Sequence, residues 1–110
     1  MNYFKHQFEG IVRGVAEVYR VTPEEILGRS RFEPIAEARQ VAMVITWKSL
    51  SSNKGALSRT GRLFKRCHGT VMHAKSAVER RVLSDPRSLE KWKVARWLVV
   101  KEPIDSDYQI

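Results

Sequence analysis

The sequence predicts an all-α protein, a helix-turn-helix bundle of about five to six helices with a basic loop before the central one. Three observations carry this. Apolar residues recur at spacings of three and four along most of the 110 residues, as amphipathic helices require. A capping box and several Pro and Gly stops punctuate those stretches. No alternating apolar and polar run bounded by hairpin turns is present, and the short apolar run Trp97 to Val100 would be a strand with no partner.

The elements follow in order. From Phe8 to Tyr19, Ile11, Val12, Val15, Ala16, Val18 and Tyr19 suit a helix with a wide buried face, despite Gly10 and Gly14. In TPEEILG, Thr22 and Glu25 form a capping box and Pro23 occupies the first turn, so a short helix ends at Gly28. RSRFEP reads as a basic loop, because Pro34 biases Glu33 away from helical geometry. Ile35, Ala38, Val41, Ala42, Ile45 and Ser49 then form the stripe of a central helix.

SSNKG, residues 51–55, is the strongest internal loop signal. A short helix from Ala56 to Phe64 is anchored by Leu57, Leu63 and Phe64, with Gly61 either a close-packing position or a weakness. A charged turn around Lys65 to His68 leads to a longer helix from Gly69 or Thr70 to about Leu83, with Val71, Ala74, Val78 and Val82 facing inward. Two helices meeting across a tight turn make a helix-turn-helix. After Ser84, Asp85 and Pro86, the positions Leu89, Trp92, Ala95 or Arg96, and Val99 form one more amphipathic face, and KEPIDSDYQI is read as irregular. Domain organisation is read as a DNA-binding unit over 1–85 and an extension over 86–110 that either packs on it or binds a partner.

Charge suggests the partner. Lys and Arg number 20 against 12 Asp and Glu, a net +8, which favours polyanions. Between Arg29 and Arg66 lie nine basic residues and only Glu33 and Glu37, a net +7. Two basic contact points, the Arg29 and Arg31 loop and the RCHGTVMHA helix start, suit a duplex reader better than an enzyme cleft.

Catalytic and cofactor patterns are not evident. His68 and His73 are five apart, not the i, i+4 pairing of a helical metal pair. Cys67, the single cysteine, excludes an internal disulfide and has no placed base beside it for nucleophilic catalysis. Walker and dinucleotide glycine patterns are missing. The expectation is therefore a protein that is not an enzyme and takes no metal or cofactor. The start MNYFKHQFEG has no long apolar core, so no membrane association is expected, and a cytoplasmic, nucleoid-associated location is.

Duplex DNA gives the basic and polar residues roles. A helix tip in the major groove presents its first side chains to base edges and its free amides to phosphate. His68, Gly69 and Thr70 occupy that tip, with Lys65 and Arg66 at the turn as phosphate contacts and Cys67 between. Arg59 and Arg62 extend the positive surface, as Lys54 does in the preceding loop. A loop arginine suits a narrow minor groove, which is the expectation for Arg31 and Arg29. Arg39 and Gln40 are expected to bond phosphates, Arg39 alternatively pairing with Glu33, Glu37 or another helix. Phe32 is expected to tuck inward and fix Arg31.

The stretches VAEVYRVTPEEILGRSR, EARQVAMVI and TGRLFKRCHGTVMHAKSAVE resemble, in order and spacing, the C-terminal DNA-binding domain of the bacterial chromosomal replication initiator, DnaA. The resemblance runs from about Phe8 to Arg81, and ARQVAM with HGTVMHA is its specific part. It implies an all-helical domain that binds short duplex boxes at replication origins. It also implies that Arg31 stands at the minor-groove arginine of the basic loop and Leu57 at the leucine opening the first helix of the motif. Arg66, Cys67, His68, Gly69 and Thr70 fall on the arginine, aspartate, histidine and two threonines of the GRDHTT signature. Cys67 and Gly69 depart from it, removing a base-reading acceptor and a hydroxyl with its methyl. The family's ATP-binding motor has no counterpart, nor has the segment from Pro86 to Ile110 in the family. The resulting expectation is a double-stranded DNA reader acting in transcription or replication. The alternative is an interaction module binding a replication or phage protein, or a second copy, through the Trp-containing segment.

Overall fold

The computed structural model describes residues 3–50 and 55–100. Six helices follow one another: α1 (Tyr3–Tyr19), α2 (Pro23–Leu27), α3 (Glu33–Ser49), α4 (Ala56–Leu63), α5 (His68–Ser84) and α6 (Pro86–Val100). Among the described residues there is no strand, and the run from Trp97 continues α6. Helix α1 begins five residues earlier than the apolar pattern indicated, and α3 begins at Glu33 with Pro34 in its first turn, where a missing N–H costs nothing.

Helix α3 is the hub, packing against α1, α2, α4 and α5. Ile35, Ala38, Arg39 and every residue from Val41 to Thr46 are buried. A helix surrounded by neighbours buries nearly its whole circumference, which is why the single expected stripe understates it. Phe8 of α1 meets Phe64 edge to face at a centroid distance of 5.1 Å, so the end of α4 is seated on the same core. Val71, Ala74, Val78 and Val82 of α5 all point into it as their spacing predicts.

Helix α6 packs on α1 and α5. Trp92 and Ala95, rather than Arg96, enter the common core, whereas Trp97 is 54% exposed. The Ser88 hydroxyl bonds the carboxylates of Asp85 and Glu37, fastening the start of α6 to α3. No described helix is long and apolar enough to cross a membrane.

Two helix ends position the rest. The capping box of α2 is formed, Thr22 Oγ1 accepting from Glu25 N at 3.0 Å and Glu25 Oε1 from Thr22 N at 2.9 Å. Helix α4 ends in a left-handed turn: Lys65 has φ +56°, the Arg66 amide donates to Gly61 O at 2.8 Å and the Lys65 amide to Arg62 O at 3.1 Å. This double closure is a Schellman motif. It reverses the chain within three residues and delivers it to α5.

Candidate nucleic-acid interface

The turn between α4 and α5 lies directly on α4. A Cβ at Gly61 would stand 2.6 Å from the carbonyl oxygen of Arg66 and 3.4 Å from backbone atoms of Cys67 and His68. Gly61 is therefore a close-packing position, not a weakness, and it brings the start of α5 against its partner helix. Helix α5 opens at His68, with Cys67 as its extended N-cap residue. Its first turn leaves amides with no intrahelical acceptor, and Cys67, His68, Gly69 and Thr70 are all exposed.

The cysteine at the cap makes no hydrogen bond to the first-turn backbone of the kind Asp or Ser would make there. Its sulfur lies 3.4 Å from Thr70 Oγ1. That hydroxyl holds the Cys67 thiol below its ordinary range, because donors at a helix N-terminus favour the thiolate. Among the described residues no group of three His, Cys, Asp or Glu side chains could hold a metal ion.

The basic loop is built by two arginines that do not project from it. Arg39 is 8% exposed. Its Nε donates to Ile26 O at 2.7 Å, Nη1 to Ser30 O at 2.8 Å and Nη2 to Glu25 O at 2.9 Å. Two of these carbonyls close the C-terminal end of α2, where a cation is favoured. Arg66 Nη2 donates to Gly28 O at 2.7 Å and Nη1 to Phe64 O at 3.1 Å. Burial, and then the nearby Arg66 guanidinium, lower the Arg39 pKa from its ordinary value. The two like charges are thus held close by the carbonyls of residues 25, 26, 28 and 30.

Of the two expectations for Arg39, the structure shows pairing with another element: three of its five donors serve carbonyls of α2 and the loop. Gln40 likewise accepts from Arg81 across to α5. Arg66 is half-buried, and its guanidinium ties the turn to the loop. The sequence did contain a signal for Arg39, since positions 35, 39, 42 and 46 share one helical face and the other three are Ile, Ala and Thr. A cation on such a face is either bonded inside or misplaced.

Arg29 and Arg31 are exposed, as are Arg62 and Lys65, and Arg59 is half-buried on α4. Lys54 lies outside the described residues. The Arg66 to Gly28 bond ties the basic loop to the turn before α5. Arg31 is three residues from Gly28 and His68 two from Arg66, and a chain spans at most about 3.6 Å per residue. Loop arginines and helix tip therefore stand within a few residues' reach of one shared hydrogen bond.

The profile of the bacterial dnaA protein helix-turn-helix family matches residues 8–78 of this chain. The chain belongs to that family. It is 40% identical over 72 residues to the chromosomal replication initiator protein DnaA of Desulfatibacillum aliphaticivorans, covering 66% of this chain and 15% of that protein. To DnaA 1 of Chlamydia trachomatis serovar D it is 33% identical over 100 residues, 91% of this chain and 21% of that protein, so the match runs past Pro86 and corrects the expectation that the segment after it has no counterpart in the family. DnaA 2 of Chlamydia caviae is 41% identical over 73 residues, 66% and 15% respectively. The chain thus spans about a fifth or less of the length of these relatives. The DnaA helix-turn-helix is a DNA-binding unit.

Within the DnaA frame, Lys65 stands where the GRDHTT signature has its glycine. The positive φ there explains that glycine, since a left-handed residue with a Cβ is strained. Gly69 stands in place of the first threonine, and a Cβ there would meet only Cys67 Sγ, at 3.9 Å. A Cβ at Gly69 would thus make only an ordinary van der Waals contact.

Proposed function

We propose that this chain binds double-stranded DNA with a sequence preference and acts in replication or in transcriptional control. In this reading His68 and Thr70, at the tip of α5, face base edges in the major groove while Arg31 enters the adjacent minor groove, with Arg29 beside it. Lys65 and Arg62 meet phosphates. The observation that carries the reading is the Arg66 to Gly28 hydrogen bond at 2.7 Å, because it ties the basic loop to the turn before the helix tip, as contact with two neighbouring grooves requires. A net charge of +8 supplies the sequence-independent attraction.

Losing the acidic and threonine positions of the signature weakens base discrimination rather than backbone affinity. Each well-formed base contact is worth about 1–3 kcal/mol, so two losses lower preference for the family's box by about 10- to 10⁴-fold. Selection from a random duplex pool at about 0.15 M salt, then a salt titration of the winning site, tests the reading. An enriched motif with a steep salt slope is expected, and Arg31→Ala should shift preference away from A·T-containing sites. Enrichment of no motif, with weak and salt-insensitive binding, would overturn it.

A second reading has one observation in its favour. Trp97 and Val94 stay 54% and 44% exposed on α6 while Trp92 is fully buried, so the extension both packs on the core and leaves an aromatic surface for a protein partner.

A further inference from the structure

Phe32 is 66% exposed, against the expectation that it folds inward. It stands in the basic loop immediately after Arg31, and its backbone is fastened on both sides. The Phe32 amide donates to Ser30 Oγ at 3.1 Å, and its carbonyl accepts from the Ala36 amide at 2.9 Å as α3 begins. Ser30 is itself held, its carbonyl taken by Arg39 at 2.8 Å. The only part of Phe32 left to move is the ring, which projects into solvent from a rigid mount.

An aromatic ring presented this way gains nothing for the fold, since burial is where its apolar surface stabilises. Its neighbours are Arg29 and Arg31, exposed cations that draw a polyanion to the spot. Glu33, next in the chain and also exposed, opposes a phosphate there. The fitting target for the ring is then the apolar face of a base or sugar rather than the charged backbone.

We propose that Phe32 is a specificity-determining wedge, inserted from the minor groove at a base step beside the Arg31 contact. This rests on the duplex-binding reading above and adds to it a second mode of sequence choice. A wedge must partly unstack the step it enters. Pyrimidine–purine steps such as TA and CA/TG unstack at least cost, so Phe32 selects a flexible step next to the A·T pairs chosen by Arg31. Because its mount is preformed, ordering the backbone adds no cost at binding.

The test uses the whole chain and the duplex won from the random pool, with 2-aminopurine placed in turn at each adenine of the A·T segment. Binding of the unaltered protein should raise the fluorescence several-fold at one step. Phe32→Ala should abolish that rise and weaken binding about 5- to 100-fold, the range of losing one base–aromatic contact. The slope of log K against log salt should stay unchanged, since no phosphate contact is lost. Phe32→Leu should retain part of the rise, because an apolar wedge need not be aromatic. Circular dichroism of Phe32→Ala matching the parent keeps the comparison clean, as the ring packs in no core. Undiminished binding by Phe32→Ala, or a bound duplex with no step brightened, would overturn the wedge. Failure of the unaltered chain to bind any duplex at about 0.05 M salt would instead defeat the DNA-binding reading on which it rests.

Discussion

Arg39 and Ser30 are joined by a 2.8 Å hydrogen bond from the guanidinium to the loop carbonyl, and with it the loop that carries Arg29 and Arg31 is held by a largely buried charge. The same side chain closes the end of α2 through Glu25 O and Ile26 O. A planar fork with five donors can serve three carbonyls at once, and an ammonium cannot.

Arg39→Leu should therefore destabilise the protein by about 2–4 kcal/mol, since buried carbonyls lose charged donors worth about 1–3 kcal/mol apiece and such losses do not add fully. Urea denaturation measures it. Arg39→Lys should recover little. Where either variant remains folded, duplex affinity should fall while the salt slope holds, because Arg39 neutralises no phosphate. A reduced slope would place Arg39 on DNA after all.

Gly61→Ala tests the crossing of the turn over α4. In an open helix the change stabilises by about 1 kcal/mol. Here the new methyl would meet backbone at 2.6 Å, and backbone cannot rotate away, so a net loss of about 1–3 kcal/mol is expected. A neutral or stabilising result in the same denaturation assay would show that the turn has slack.

Lys65→Gly should separate stability from binding. Relieving a left-handed residue with φ +56° raises stability by about 1 kcal/mol. Removing its charge should weaken all duplexes alike and reduce the salt slope by about 1. Loss of affinity at only some sequences would mean that Lys65 reads bases.

The pair Cys67→Asp with Gly69→Thr restores the family's residue types at two exposed positions of the helix tip. Aspartate at the cap of α5 should add about 0.5–2 kcal/mol of stability by accepting from the first-turn amides. Each restored base contact should increase preference for the family's box by about 10-fold or more over a scrambled duplex, measured by competition binding. An unchanged ratio would show that α5 does not enter the groove tip first.

What the sequence determined is local or periodic. The helical class, the order of elements, the α2 capping box and the inward face of α5 were all legible, because spacing and caps act within a turn or two of the chain. Family membership was legible in ARQVAM and HGTVMHA. Tertiary structure alone decided which basic residues face outward. Arg31 and Arg39 have the same chemistry in sequence, yet one is exposed and the other is spent on carbonyls 9 to 14 residues away. Phe32, expected to tuck inward and fix Arg31, stands in solvent with its backbone held by Ser30 and by the first turn of α3. Gly61 was undecided until the turn was seen to pass 2.6 Å from its missing Cβ. For Arg39 and Gly61 the deciding partner is backbone, and backbone leaves no mark in the spacing of side chains.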